Sequence, residues 1–245
     1  QVTADQDIKL SRGGVICIPR EDIFGFLNKS RDLPDGRDLN RCFPGSKNGS
    51  LASRLAYAIK EHILPVIDYG VDLHTAAIHR TNYPHIRCNF ESERDLALAK
   101  AFGADFILNS DFREKSLRKV AYEMGKPVIV LEAGEALRLR KFAVREGKKG
   151  IIRVMQYLNM IPAKEPMRES KILKDSSWVR AKTAGLFRTY VQPGAYVKKD
   201  DLLASLSDPF GQIETEIFAP QNGYVIGLTL LPVINAGDAL IHLAE

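Results

Sequence analysis

No uninterrupted apolar run in the sequence approaches the roughly 20 residues that a membrane helix needs, so no helical membrane span is expected. Cysteine is sparse. Cys17, Cys42 and Cys88 lie far apart and form no CxxC pair, which argues against a disulfide framework and against a cysteine zinc knot. Each is expected as a small packed residue. The start, Gln1 to Leu10, has no signal-peptide layout, and a cytoplasmic location is the expectation. Aromatic residues are scarce where the basic ones gather. The densest basic run, Arg138, Arg140, Lys141, Arg145, Lys148 and Lys149, falls in a predicted helix with Phe142 as its one stacking candidate. A solvated helix face explains that run better than nucleic-acid binding does. The net charge of +5 fits a basic cleft for a small anionic substrate equally well.

The chain has 245 residues, 45% of them hydrophobic, enough for a full core and a second, smaller domain. Its first part alternates short apolar runs with helical patterns: Val15 to Ile18, Ser50 to Ile63, Gly70 to Leu73, Ser92 to Phe102, Phe106 to Leu108, Leu117 to Met124 and Val128 to Leu131. Strands interleaved with helices predict an α/β sheet. Ser50 is placed to cap a helix carrying Leu55, Ile59 and Ile63, while Gly125 and Pro127 end another just before a β-branched strand. A further helix, about Lys141 to Leu158, stops before Pro162.

From Ala163 to Ser177 the chain turns polar, with no sustained apolar period, which divides it into residues 1–162, a linker at 163–177 and a region at 178–245. The last region consists of short apolar runs cut by Gly185, Pro193-Gly194, Asp208 to Gly211, Asn222-Gly223 and Gly237-Asp238, the texture of a compact all-β domain. Val197 to Leu203 is faintly echoed by Ile234 to Leu240, an arrangement similar to the barrel-sandwich of biotinyl and lipoyl carriers. Those carriers hold their cofactor on a lysine at a hairpin tip. The predicted tip here, Asp208 to Gly211, has no lysine, so a structural or substrate-gating role is expected instead.

Three segments carry chemistry. Ser30 to Gly45 reads as a loop, in which Arg41 offers a planar fork of donors for a carboxylate, Asn40 a neutral donor and acceptor, and Arg31 a second positive charge. A surface loop held by Asp–Arg pairs would use the same residues. Val71 to Thr75 leads an apolar strand into His74, a candidate metal ligand that Asp72 or a backbone carbonyl could orient. Pro127 to Glu135 places Glu132 after four apolar residues, where a carboxylate is costly unless it is paired or working. A general base and a buried salt bridge both fit. His79, His85 and Arg87 follow His74, but the simpler reading puts them on a connecting loop and the adjacent strand. Glu135 could assist Glu132 or cap the next helix, and Arg80 and Arg138 are candidates for a second carboxylate.

Asp38-Leu-Asn-Arg41 with Phe43-Pro-Gly45, Asp72-Leu-His-Thr75, Leu131-Glu-Ala-Gly134 and the turns at Ala219-Pro220 and Gly237 to Leu240 occur in that order. As a set they resemble the succinylglutamate desuccinylase/aspartoacylase family, relatives of the zinc carboxypeptidases, over nearly the whole chain. The resemblance implies a mixed-sheet, carboxypeptidase-like α/β/α domain and one Zn2+ per chain, with His74 as one ligand. It implies Glu132 as general base and acid, Arg31 as the residue that polarises the amide carbonyl, and Asn40 and Arg41 as a clamp on a substrate carboxylate. The reaction implied is hydrolysis of a small anionic N-acyl amino acid or related amide.

The family's other two ligands form a His-x-x-Glu pair ahead of the strand matching Val15 to Ile18, and no His-x-x-Glu occurs in this sequence. A missing amino-terminal segment is the preferred expectation. Such a chain would expose an apolar sheet edge prone to association into a homo-oligomer. A carboxypeptidase for short peptides and a metal-free protein that binds an anionic metabolite are the alternative readings.

Overall fold

The computed structural model describes residues 9–19, 21–212 and 214–245; most of the amino-terminal stretch judged for a signal peptide lies outside them. Five α-helices are present among the described residues, α1 (Ile23–Asn28), α2 (Leu51–His62), α3 (Glu93–Phe102), α4 (Leu117–Glu123) and α5 (Lys141–Tyr157), with a 3-10 turn at Leu39–Arg41. Their starts obey local capping chemistry. The side chains of Ser50, Ser92 and Ser116 each accept a hydrogen bond from a backbone amide of the first turn of α2, α3 and α4. None of the described helices is long and apolar enough to cross a membrane.

The central sheet is mixed. β1 (Gly70–His74) lies parallel to β4 (Val128–Glu135), and β4 pairs antiparallel with β2 (Arg80–Cys88). The other edge of β2 forks. Its carboxyl half pairs parallel with β3 (Phe106–Asn109), which pairs in turn with β5 (Lys171–Leu173). Its amino half pairs with β11 (Gly223–Thr229), and the sheet continues through β13 (Ala239–Ala244) to β6 (Ser176–Arg180).

Because strand side chains alternate, β4 feeds two cores. Val128 joins Phe43, Ala56, Ile59, Leu117 and Ala121 on the α2/α4 face. Ile129, Leu131 and Ala133 join Ile86, Leu98, Phe102, Ile107 and Val154 on the α3/α5 face. Burying a side chain such as Leu131 fully is worth about 1.5–3 kcal/mol, so these two layers hold the central strands from both sides.

The carboxyl-terminal residues are strand and turn, but they do not close on themselves. A four-stranded antiparallel sheet, ordered β10 (Glu214–Phe218), β9 (Leu202–Ser207), β7 (Gly185–Thr189) and β12 (Val233–Ile234), packs its apolar face against β11 and β13 of the central sheet. β8 (Tyr196–Val197) pairs with β11 as well. The segment 163–177 contains β5 and the start of β6, both in the central sheet.

One expected element is absent. Val15 to Ile18 adopts no regular structure, and Val15, Ile16 and Ile18 are exposed. An apolar run becomes a strand only where another strand supplies its hydrogen bonds, and none of the described residues pairs with this one.

Candidate active site

The parallel pairing of β1 and β4 brings His74 opposite Glu132, and the antiparallel pairing of β4 and β2 brings Glu132 opposite His85. Cross-strand partners share a face, so the three side chains lie in a row across the sheet. His74 Nε2 donates to Asp72 Oδ2 at 2.8 Å. Burial disfavours the imidazolium, but this hydrogen bond and the Asp72 and Glu132 charges outweigh it and push His74 up to about 9. His85 is buried and donates from Nδ1 to the Tyr83 carbonyl at 2.8 Å; burial pulls its pKa down.

Glu132 is held at both oxygens. Oε2 accepts from Asn82 Nδ2 at 3.1 Å, and Oε1 lies 3.7 Å from Arg87 Nη1. Arg87 turns into the site from β2, where sequence reasoning had set it aside, and its Nε and Nη2 also donate to Ser110 Oγ at 3.2 and 2.8 Å.

Behind Arg87 stands Arg118, on the buried side of α4. Its Nη2 donates to the carbonyls of Ser110 and Asp111, each at 3.0 Å, while Nη1 has no hydrogen-bond partner among the described residues. Burial first, and the Arg87 charge second, push Arg118 down to about 10. The charges of Arg113 and Arg41 are also felt at Arg87, so four arginines gather on this side of the site, with Asp95 and Asp72 also felt at Arg118. A buried guanidinium with an unused N–H is costly unless an anion or water completes it.

The Ser30 to Gly45 loop reaches the same place with part of its polar chemistry already committed. Arg31 donates from Nε and Nη2 to Asp38 Oδ2, at 2.9 and 2.8 Å, and its charge is felt at His74. Asn40 Oδ1 accepts from the Leu117 amide at 2.8 Å, and the Phe43 amide donates to the Lys115 carbonyl at 3.1 Å, so the loop is docked on the start of α4. Asp35 Oδ2 accepts from the Ala52 amide at 3.0 Å, and that bond holds Asp35 below the usual carboxylate range. Arg41 Nη1 donates to the Asn40 carbonyl.

Glu21, which sequence reasoning passed over, lies near Asp72 and His74. Burial, and then the Asp72 charge, raise it to about 7 against the opposing pull of His74. Glu135 is neither an assistant to Glu132 nor a helix cap. It is buried and paired with Arg138, at 3.1 Å, and with Arg140, so Arg138 is committed to a carboxylate of the chain itself. Arg80 lies over the Trp178 ring at 4.6 Å, and His79 sits in the turn before β2 with φ of 61°.

No group of three or more His, Cys, Asp or Glu that could hold a metal converges among the described residues. His74 offers one imidazole, and the nitrogen it turns to Asp72 is already bonded. These residues by themselves do not fit a zinc centre of two histidines and a glutamate.

Known proteins share this architecture. Against a curated N-alpha-acetyl-L-2,4-diaminobutyric acid deacetylase of Halomonas elongata, the chain is 25% identical over 249 residues, covering 96% of this chain and 73% of the relative. The product-bound structure of the ectoine utilization protein EutE (DoeB) from Ruegeria pomeroyi superposes with a TM-score of 0.83 at 25% identity, over 93% of this chain and 73% of that one. A succinylglutamatedesuccinylase/aspartoacylase structure from Rhodobacter sphaeroides shares the fold, with a TM-score of 0.81 at 24% identity over 91% and 72% of the two chains. The family model of the succinylglutamate desuccinylase/aspartoacylase catalytic domain matches residues 3–158, and the chain belongs to that family.

Proposed function

We propose that this protein hydrolyses the amide bond of a small N-acyl amino acid or a similar anionic amide, with Glu132 as general base and acid. The observation that carries this reading is the placement of Glu132. Its carboxylate stands within β4 after four buried apolar residues, is held by Asn82 and Arg87, and lies near a group of arginines in which the Arg118 Nη1 has no partner among the described residues. Membership of the family and likeness to a named deacetylase support an amide substrate.

Glu132 takes the proton of the attacking water and returns it to the departing amine, a role typically worth 10²–10⁴-fold in rate. Arg31 stabilises the oxyanion, using the Nη1 that its Asp38 pair leaves available. Arg41, Arg87 and Arg118 draw in the substrate carboxylate. Asn40 contributes its Nδ2 donors, since its Oδ1 is bound to the Leu117 amide. Zinc is implied by the family, and His74 is the residue we assign to it. The described residues bring no two further ligands to His74, and the roles given above are those of the chain's own side chains. We also propose that the chain divides functionally, with the chemistry in residues 1–162 and the region 178–245 closing the cleft from one side.

The test is turnover on a panel of N-acyl amino acids, followed by release of the free amine, with elemental analysis of the same preparation and a chelator control. Turnover that disappears in Glu132→Ala supports the reading, and its loss with chelator adds the metal. Tight binding of an N-acyl amino acid with no turnover would replace it with a metabolite-binding protein.

A further inference from the structure

Asn82 reaches Glu132 through an irregularity in β2. Residues 82 and 85 are three apart, so in a regular strand they would face opposite sides of the sheet. The register between β2 and β4 shifts between Asn82 and His85, and the extra residue falls at Tyr83-Pro84. Proline supplies no ladder hydrogen bond, and a bulge is one of the few places where a sheet tolerates it. The consequence is that Asn82 and Arg87 reach the same carboxylate, with His85 as its cross-strand neighbour.

The space for the Asn82 amide is provided by the carboxyl-terminal part of the chain. On one side Asn82 pairs with Gly134 of β4, and on the other with Gly227 of β11, so neither neighbouring strand places a side chain beside it. Gly227 does not need a glycine for its backbone conformation, since it is absent from the positive-φ residues. It needs one for room. A Cβ there would stand 3.0 Å from Asn82 Oδ1, 3.2 Å from His242 Cβ and 3.5 Å from Trp178 Cη2. The Trp178 and His242 rings are stacked at 4.6 Å between centroids, with 9° between planes, so they form a stiff backstop. An added methyl group therefore pushes Asn82, the softest of the three neighbours.

We propose that Asn82 is a positioning residue for Glu132, and that Gly227, on a strand outside the region carrying the chemistry, holds it in place. The amide donor fixes Oε2 and with it the orientation of the carboxylate. This inference rests on the proposed hydrolysis for its kinetic consequence but not for the contact itself.

Two measurements separate them. In a preparation with turnover, Asn82→Ala lowers kcat by about 10- to 100-fold, the scale of a misplaced catalytic group, while KM changes less than about threefold. Asn82→Asp keeps the size, removes the donor and adds a like charge, so it is at least as damaging. Gly227→Ala lowers kcat in the same direction, and the Gly227→Ala/Asn82→Ala pair is no worse than Asn82→Ala alone. Wild-type kcat in Asn82→Asp, or additive losses in the pair, overturns the proposal.

The second measurement is the Asn82 side-chain amide resonance in 15N-asparagine-labelled protein. Glu132→Ala and Gly227→Ala each shift it if the contact exists, and an unmoved resonance overturns the proposal. A wild-type chain with no turnover refutes the proposed hydrolysis, and the resonance then decides the contact alone.

Discussion

Among the described residues, a single strand, β1, flanks β4 on one side of Glu132, and on the other the sheet runs on through β2, β11, β13 and β6. His74 on the short flank and His242 on the long one are held in opposite states. His74 on the short flank is pushed up to about 9, because the adjacent Asp72 carboxylate outweighs the cost of burial. His242 on the long flank is pushed down to about 3 by burial, reinforced by the charges of His85, Arg87 and Arg80. The same side chain becomes a cation or a neutral ring according to what the next strand presents. His74 has its partner two residues away in the sequence, whereas none of the three groups acting on His242 is near it in the chain. That asymmetry explains why only the first could be read without a structure.

The comparison can be broken at its centre. Glu132→Gln keeps the shape and removes the base, and is expected to lower kcat by about 10²–10⁴-fold with little change in melting temperature; steady-state amine release and a thermal melt check both halves.

Next in size is the group of arginines. Arg118→Met, which keeps much of the volume, is expected to weaken binding of an N-acyl amino acid by about 10- to 100-fold in calorimetry, the scale of a charge-assisted hydrogen bond worth about 1.5–3 kcal/mol. Arg118→Lys does not restore it, because an ammonium cannot reach the Ser110 and Asp111 carbonyls and an anion with the same fork.

Packing separates the flanks as well. Ile241→Ala, fully buried on the long flank, is expected to cost about 2–5 kcal/mol in urea denaturation. Leu73→Ala on the edge strand, 53% exposed, should stay within about 0.5 kcal/mol. Equal losses at both positions would mean that the edge of β1 is covered in solution.

A further contrast between the flanks is in pH. Since the folded state lowers the pKa of His242, the folded chain binds fewer protons than the unfolded chain between about 3 and the ordinary value of 6.5. Stability from this residue is therefore present above pH 6.5 and is lost as the pH falls toward 3. His242→Phe keeps the stack on Trp178 and should flatten that acid limb in denaturation curves taken across the range.

Much of the scaffold was legible from local chemistry. Ser50 at the head of α2, Gly125 and Pro127 between α4 and β4, and the polar tip between β9 and β10 all act over a few residues, and the structure places elements accordingly. His74 and Glu132 were legible for a related reason, since an ionisable residue after a run of apolar strand residues stands out in one dimension, although β4 runs on past Glu132 to Glu135. Val15 to Ile18 misled because strand formation depends on a partner that the run itself does not contain. Asn82, Glu21 and Arg118 were missed for distinct reasons. The aim of Asn82 depends on a bulge defined only by pairing with β4, and Glu21 follows no pattern of its own. Arg118 did leave a trace, as the one charged residue among Leu117, Val120 and Ala121 on the buried side of α4. Turn spacing marked the carboxyl-terminal region as strands but could not say which sheet each one joins, and β6, β11 and β13 join the central sheet.

The bond from the Leu117 amide to Asn40 Oδ1 has a bearing on protein engineering. Residues 30–45 and the head of α4 share one joint, and Arg41 and Arg118 stand on either side of it. A graft that exchanges the loop alone between family members would carry one half of that joint into a foreign socket. Altering substrate preference by recombination calls for moving residues 115–118 together with the loop, as one module split across the chain.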